Sequence, residues 1–199
     1  MSTQKDNSQI IRSKRLLQHA LIELLQEKPF KKITIADIAL KAGYSRTTFY
    51  AHFNYKEDIL NEYIDELIER ILYDSFGEIS TFPPSREEQF KMTERLVDHW
   101  EENAESFKSL HTAGLENLVT NKFKEKLKQL NLEKISPILY LTSEPNLVDY
   151  FYVFSSGLLV GILQFWISND MVTPKEEIAL ILSFFDTPEF YLFLQKKDL

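Results

Sequence analysis

Apolar residues recur every three to four positions along most of this chain, the spacing that places them on one side of an α-helix. Ile10, Leu17, Leu21, Leu24 and Leu25 predict a first helix over Ser8–Glu27, ended by KPFKK at 28–32. A second start is marked at Thr34: Thr34 and Asp37 have capping-box spacing, and Ile33 and Ile38 fit a hydrophobic staple. Ile35, Ile38, Ala39 and Ala42 then share one face, and Gly43 suits the left-handed residue that closes a helix. Ser45 caps a short third helix, with Tyr44 and Phe49 at staple positions. Asn54 and Glu57 predict a further capped start, for a long helix reaching about Tyr73.

Ser75 to Ser85, with Gly77 and Pro83-Pro84, reads as a loop. Beyond it the pattern predicts helices at about 86–104, 106–113, 115–131, 146–168 and 174–185. The last of these is capped by Thr173 with Pro174 at the first position, and a short helix at 188–196 follows. No strand-like alternation persists, and five glycines and seven prolines leave few breakpoints. The expected fold is all-α: a three-helix head over residues 1–54 and a larger helical body over 55–199.

Charge changes the picture more than composition does. The net charge of −7 argues against a polyanionic partner, yet residues 1–60 hold ten Lys/Arg against six Asp/Glu, a balance of +4. Residues 61–199 hold 13 against 24, a balance of −11, so a basic head precedes an acidic body. Cysteine is absent, which excludes disulfides and thiolate zinc sites and fits a reducing compartment. The polar N-terminal residues lack the pattern of a signal peptide, so a cytoplasmic location is expected.

The stretch GYSRTTFYAHF (43–53) concentrates the candidate chemistry. Two short helices about a glycine turn, the second rich in hydrogen-bonding side chains, form a helix-turn-helix pattern. Phe49 and Phe53 can anchor the second helix, leaving Arg46, Thr47, Tyr50 and His52 on other faces with Thr48 near the edge. A major groove admits such a helix: Arg46 can donate twice to guanine, threonine methyls and the Tyr50 ring can meet thymine, and hydroxyls and His52 can donate to bases or phosphates. Lys56 falls in the first turn of a helix, where the macrodipole disfavours a cation unless an anion such as phosphate is present. Thr34 offers a second helix start and hydroxyl, and Arg12, Lys14 and Arg15 add charge. A polar surface helix packed on a core is the plainer alternative.

ITIADIALKAGYSRTTFYAHFNYKEDIL resembles the N-terminal DNA-binding domain of the TetR family of bacterial transcriptional regulators. The likeness rests on T-x-x-x-I-A, A-G at the turn, F-Y-x-H-F and Lys56, and covers about residues 8–60. It implies that Tyr44, Arg46, Thr47, Thr48, Tyr50, His52 and Lys56 approach double-stranded DNA at a palindromic operator. Thr34 and Ser45, the two helix starts, join that face. The resemblance further implies a homodimer, an all-helical C-terminal domain and, usually, small-molecule control.

Residues 150–167 are apolar for 18 positions and contain Gly157-x-x-x-Gly161. Asp149 and Gln164 border or interrupt the run and no basic cluster flanks it, so core plus dimer interface is expected over a membrane span. Leu158, Gly161, Ile162 and Phe165 are the expected interface. FSSGLLVGILQFWI followed by T-P-K-E-E-I is similar to a C-terminal type common in Firmicutes members of the family. Trp100, Phe107, His111 and Phe151 are candidates to line a pocket for a small apolar or aromatic effector, although aromatics at helical spacing also serve as plain core. His99 and His111 lack metal-ligand spacing, and no cofactor is expected. No G-x-S-x-G, P-loop or dinucleotide fingerprint appears, which removes the common enzyme readings. The expected function is a DNA-binding repressor tuned by an effector. An activator or nucleoid-associated scaffold working through protein partners is the alternative.

Overall fold

In the computed structural model, residues 2–76, 85–134 and 145–185 are described. Among them are nine α-helices, one 3-10 turn and no strand. The described residues divide into two compact units: Met1–Glu66 with Lys108–Leu115, and Leu67–Phe107 with Glu116–Leu199.

The first unit is built from α1 (Ser2–Glu27), the 3-10 turn Phe30–Lys32, α2 (Ile35–Lys41), α3 (Arg46–Tyr50) and the first half of α4 (Lys56–Phe76). Its core contains Leu17, Leu21, Leu25, Ile33, Ile38, Phe49, Phe53, Ile59 and Ile64, all essentially inaccessible. Burying side chains of this size contributes roughly 1.5–3 kcal/mol each. Helix α1 begins six residues before the expected Ser8, and Ile10, expected on its apolar face, is 52% exposed. Periodicity locates only the buried stretch of a helix. A polar run without glycine or proline extends the hydrogen-bonded ladder beyond it.

The Thr34–Asp37 capping box forms as expected, and Gly43 adopts φ +73° to end the second helix. The start of α4 differs from expectation. Helix geometry begins at Lys56, and the carboxylate reaching back is Asp58, accepting from the N–H groups of Asn54 (3.1 Å) and Tyr55 (2.8 Å). Asp58 stands three residues after Tyr55, so the Asn54–Glu57 pairing is replaced by one shifted a single position.

The second unit holds the remainder of α4 together with α5 (Arg86–Glu102), α7 (Glu116–Lys134), α8 (Pro145–Ser168) and α9 (Lys175–Phe185). Helix α6 (Ala104–Thr112) begins in this unit and ends in the other. A capping box between Ser85 and Glu88 starts α5. Helix α5 packs on α9 and α7 on α8. Lys175, at the start of α9, holds Asp98 (2.7 Å) and Glu101 (3.2 Å) of α5. The indole N–H of Trp166 donates to the Thr173 carbonyl (2.8 Å) and closes the turn between α8 and α9. Helix α9 begins one residue beyond Pro174, whose carbonyl accepts from Glu177 (3.0 Å). The helix expected at 188–196 and most of the expected loop at 75–85 lie outside the described residues.

Candidate nucleic-acid interface

Helix α3 is one and a half turns long, too short to persist without anchorage. Phe49 and Phe53 supply it: both are buried, with ring centroids 5.6 Å apart, and Phe49 also meets the Tyr50 ring edge-on at 5.7 Å. Ser45 caps the helix by accepting from the Thr48 N–H (3.2 Å), and its hydroxyl also lies 3.1 Å from that of Thr48. With Phe49 turned in, Arg46, Thr47 and Tyr50 face solvent, Tyr50 at 56% exposure, while Tyr44 and Thr48 are half-buried at the edge. These side chains lie together, as the sequence predicts. Tyr44 and Thr48 also border a hollow of about 600 Å³ completed by Gln9, Ile10, Arg12 and Ser13 of α1.

Thr34 is exposed, but its hydroxyl is engaged. It donates to Asp37 Oδ2 (2.9 Å) and accepts from the Asp37 N–H (3.1 Å). The same Asp37 oxygen receives the Thr34 N–H and the Lys28 ammonium, both at 2.8 Å. Lys28 first, then Thr34, lowers the Asp37 pKa to about 2.

Lys56 and His52, the other two expected contacts, turn toward the protein. The Lys56 ammonium donates to the carbonyls of Phe30 (2.8 Å) and Ile33 (3.0 Å), lies 3.5 Å from that of Lys31, and sits 4.5 Å from the centre of the Phe30 ring. Three acceptors and an aromatic face thus surround it. His52 Nε2 lies 2.7 Å from the Ser13 hydroxyl on α1, which is also within reach of the Gln9 (2.9 Å) and Ile10 (3.1 Å) carbonyls. Burial pushes the His52 imidazole below its usual range, Lys14 adds to the effect and Glu62 opposes it.

A neighbouring polar cluster had no counterpart in the sequence reading. Gln18, almost fully buried, donates to Glu62 (3.4 Å) and Glu66 (3.2 Å), and Lys14 pairs with Glu62. Burial raises the Glu66 pKa, and a hydrogen bond with Glu62 raises it further. Ser13 and Gln18 both occur on the side of α1 that carries Leu17, Leu21 and Leu25. Polar residues among core positions were the available signal, since such groups need partners.

The expected dimer residues lie on one open stripe of α8. Phe165 is 71% exposed, Gly161 is exposed, and Leu158 and Ile162 are half-buried. Tyr150, Val153 and Phe154 extend the stripe, and a Cβ added at Gly157 or Gly161 would meet nothing within 4 Å. Leu180, Ile181 and Phe184 of α9 are exposed as well. By length and composition Asp149–Ser168, mean hydropathy 1.6, is long and apolar enough to cross a membrane.

The expected pocket residues are divided. Trp100, Phe107 and Phe151 belong to the second unit and His111 to the first. Trp100 and Phe107 are buried and Phe151 half-buried, and the Trp100 N–H has no acceptor among the described residues. No group of three or more metal-ligating side chains occurs among the described residues.

Two family profiles match the chain, "Bacterial regulatory proteins, tetR family" over residues 17–63 and "Transcriptional regulator C-terminal region" over residues 87–185. The chain is 23% identical over 187 residues to the uncharacterized HTH-type transcriptional regulator YxbF of Bacillus subtilis, covering 93% of this chain but 47% of that protein. It therefore spans about half the length of that relative. Among solved structures it is similar to a TetR-family regulator of Streptomyces coelicolor, with TM-score 0.60 and 17% identity over 91% of this chain and 88% of that one. A TetR regulator of Streptococcus agalactiae gives TM-score 0.59 and 22% identity over 99% and 100%.

Proposed function

This chain belongs to the TetR family of bacterial regulatory proteins, and from that premise we propose that it is a homodimeric, sequence-specific DNA-binding repressor. The observation that carries the reading is the face of α3. Arg46, Thr47 and Tyr50 project from a helix whose apolar side is fully committed to Phe49 and Phe53. That leaves a short, rigid, hydrogen-bonding surface of the width a major groove accepts. Tyr44, Ser45 and Thr48 flank it, and Thr34 lends a second helix start to the phosphates.

A second copy is the proposed partner of the apolar stripe on α8 and its neighbours on α9, in place of lipid. Two glycines with open space above them allow a close helix approach. The effector is a small lipophilic compound held by the second unit near Trp100 and Phe107. A hydrogen-bond acceptor on it would satisfy the unpartnered indole N–H. Occupancy releases DNA because the effector binds better to the dimer state whose recognition helices no longer match successive grooves. A cytoplasmic location follows from that role.

Selection from random duplexes tests the reading directly. We expect an enriched palindrome with half-sites about one helical turn apart or slightly more, and affinity that falls steeply with salt. Enrichment of no palindrome would sink the proposal.

A further inference from the structure

A serine or threonine inside a helix commonly returns its hydroxyl to a carbonyl three or four residues back. In the second unit Thr93 does so to Phe90 (2.9 Å) and Ser156 to Val153 (3.2 Å). Ser75, near the end of α4 and fully buried, does not: its hydroxyl has no hydrogen-bond partner among the described residues. The indole N–H of Trp100 on α5 is likewise fully buried and without an acceptor. Buried polar groups left in this state are rare in a folded chain.

The two lie at one level of the second unit. Asp74 Oδ2, beside Ser75 in the chain, is 3.8 Å from Nε2 of His99, beside Trp100, and the Arg70 guanidinium donates to Asn103 Oδ1 at 3.0 Å. One residue further along a helix is about 100° further around it, which turns Ser75 and Trp100 inward from the same crossing. Ile71 and Leu72 share the buried face of α4 with Ser75, and Leu96 and Val97 share that of α5 with Trp100. None of these carries a charge.

We propose that Ser75 and Trp100 are paired polar anchors of the effector site, and that the effector is an uncharged, largely aliphatic molecule whose carbonyl oxygen accepts from both. The proposal rests on the effector-controlled reading above. A carbonyl oxygen has two lone pairs, so it can take the indole N–H and the serine O–H together. A carboxylate would strand its charge on a face that offers no cation. A plain alkane would leave both donors as they are. Entry requires α4 and α5 to part at this level, and the polar contacts that cross there lie toward the surface, where such pairs contribute little.

Indole N–H resonances test this in the wild-type protein. The chain has two tryptophans, and the Trp166 N–H, already bonded to the Thr173 carbonyl, is an internal control. The probes are methyl ketones of graded chain length, each beside the alkane and the carboxylate of equal length. We expect a ketone to move the Trp100 resonance downfield, leave that of Trp166 in place, and bind about tenfold tighter than its alkane and its carboxylate, the scale of one good hydrogen bond. Ser75→Ala should lower ketone affinity about tenfold, leave alkane affinity unchanged, and not lower the melting temperature of the ligand-free protein. A Trp100 resonance that no ketone moves, or a Ser75→Ala protein that binds ketone as the wild type does, would overturn the inference. So would a Ser75→Ala protein that is destabilised or unfolded before any ligand is added, because the hydroxyl would then be holding the fold. If another lipophile releases operator DNA while no ketone moves Trp100, the carbonyl site falls and effector control stands. If a ketone binds as expected and operator affinity does not change, the site stands and effector control falls.

Discussion

Asp37 places one carboxylate oxygen against a lysine ammonium, a hydroxyl and a backbone N–H, which carries its pKa from 3.8 to about 2. A carboxyl depressed by folding stabilises the fold fully above its unfolded pKa. That stabilisation is lost as pH falls through the folded value. We expect the melting temperature of the wild type to fall between pH 4 and pH 2 partly through this group, and Asp37→Asn to flatten that part of the profile while lowering stability at pH 7. Thr34→Ala, which removes the reciprocal half of the box, should cost about 1 kcal/mol in denaturant titration. The box was legible in the sequence because its two members stand three residues apart. The ties of Lys56 and His52 were not, because their partners lie 23 to 39 positions away and only the packed chain brings them near. Ser13 and Gln18, polar residues on the buried side of α1, were the one local hint.

Helix existence and type were legible wherever a buried stripe or a cap left its period in the sequence, as at α2, α3 and α5. Boundaries set by neither were less so. The N-terminal turns of α1 carry no apolar periodicity in the sequence, and Asp58 competes with Glu57 for the same role. For α8 the sequence spacing of Gly157 and Gly161 pointed to close helix approach, and the structure leaves their outer face open. That openness makes a selective variant available. A Cβ placed at Gly161 meets nothing within 4 Å, and Gly161→Leu gains helix propensity of up to about 1 kcal/mol. Its cost should therefore fall on a partner helix: helical content by circular dichroism should be retained while sedimentation shows monomer. Phe165→Asp should act likewise, and an unchanged dimer for both would move the interface off this helix.

Across the whole molecule, effector and DNA are expected to oppose one another by a single coupling factor, since linkage between binding free energies is reciprocal. A lipophilic compound that raises the melting temperature should lower operator affinity, and operator DNA should weaken that compound's binding by the same factor. Trp100→Phe keeps most of the buried ring but removes the unpartnered N–H. It should lose most of the response to compounds bearing an acceptor while binding operator as the wild type does. An undiminished response would place the effector away from Trp100. The basic head and acidic body were legible at this scale from charge counts. The membership of residues 108–115 in the head's unit was not, since nothing in a sequence pattern records a contact made across eighty residues.

That membership bears on how the protein is made. Ser109 accepts a hydrogen bond from Gln26 of α1 at 3.1 Å, and Leu110 is buried. A nascent chain that has emerged only as far as Glu66 therefore contains α1 to α3 without the residues that complete their unit. Until residue 115 clears the ribosome, this unit lacks the Gln26–Ser109 contact and the residues that complete it, so its folding should finish only after that point.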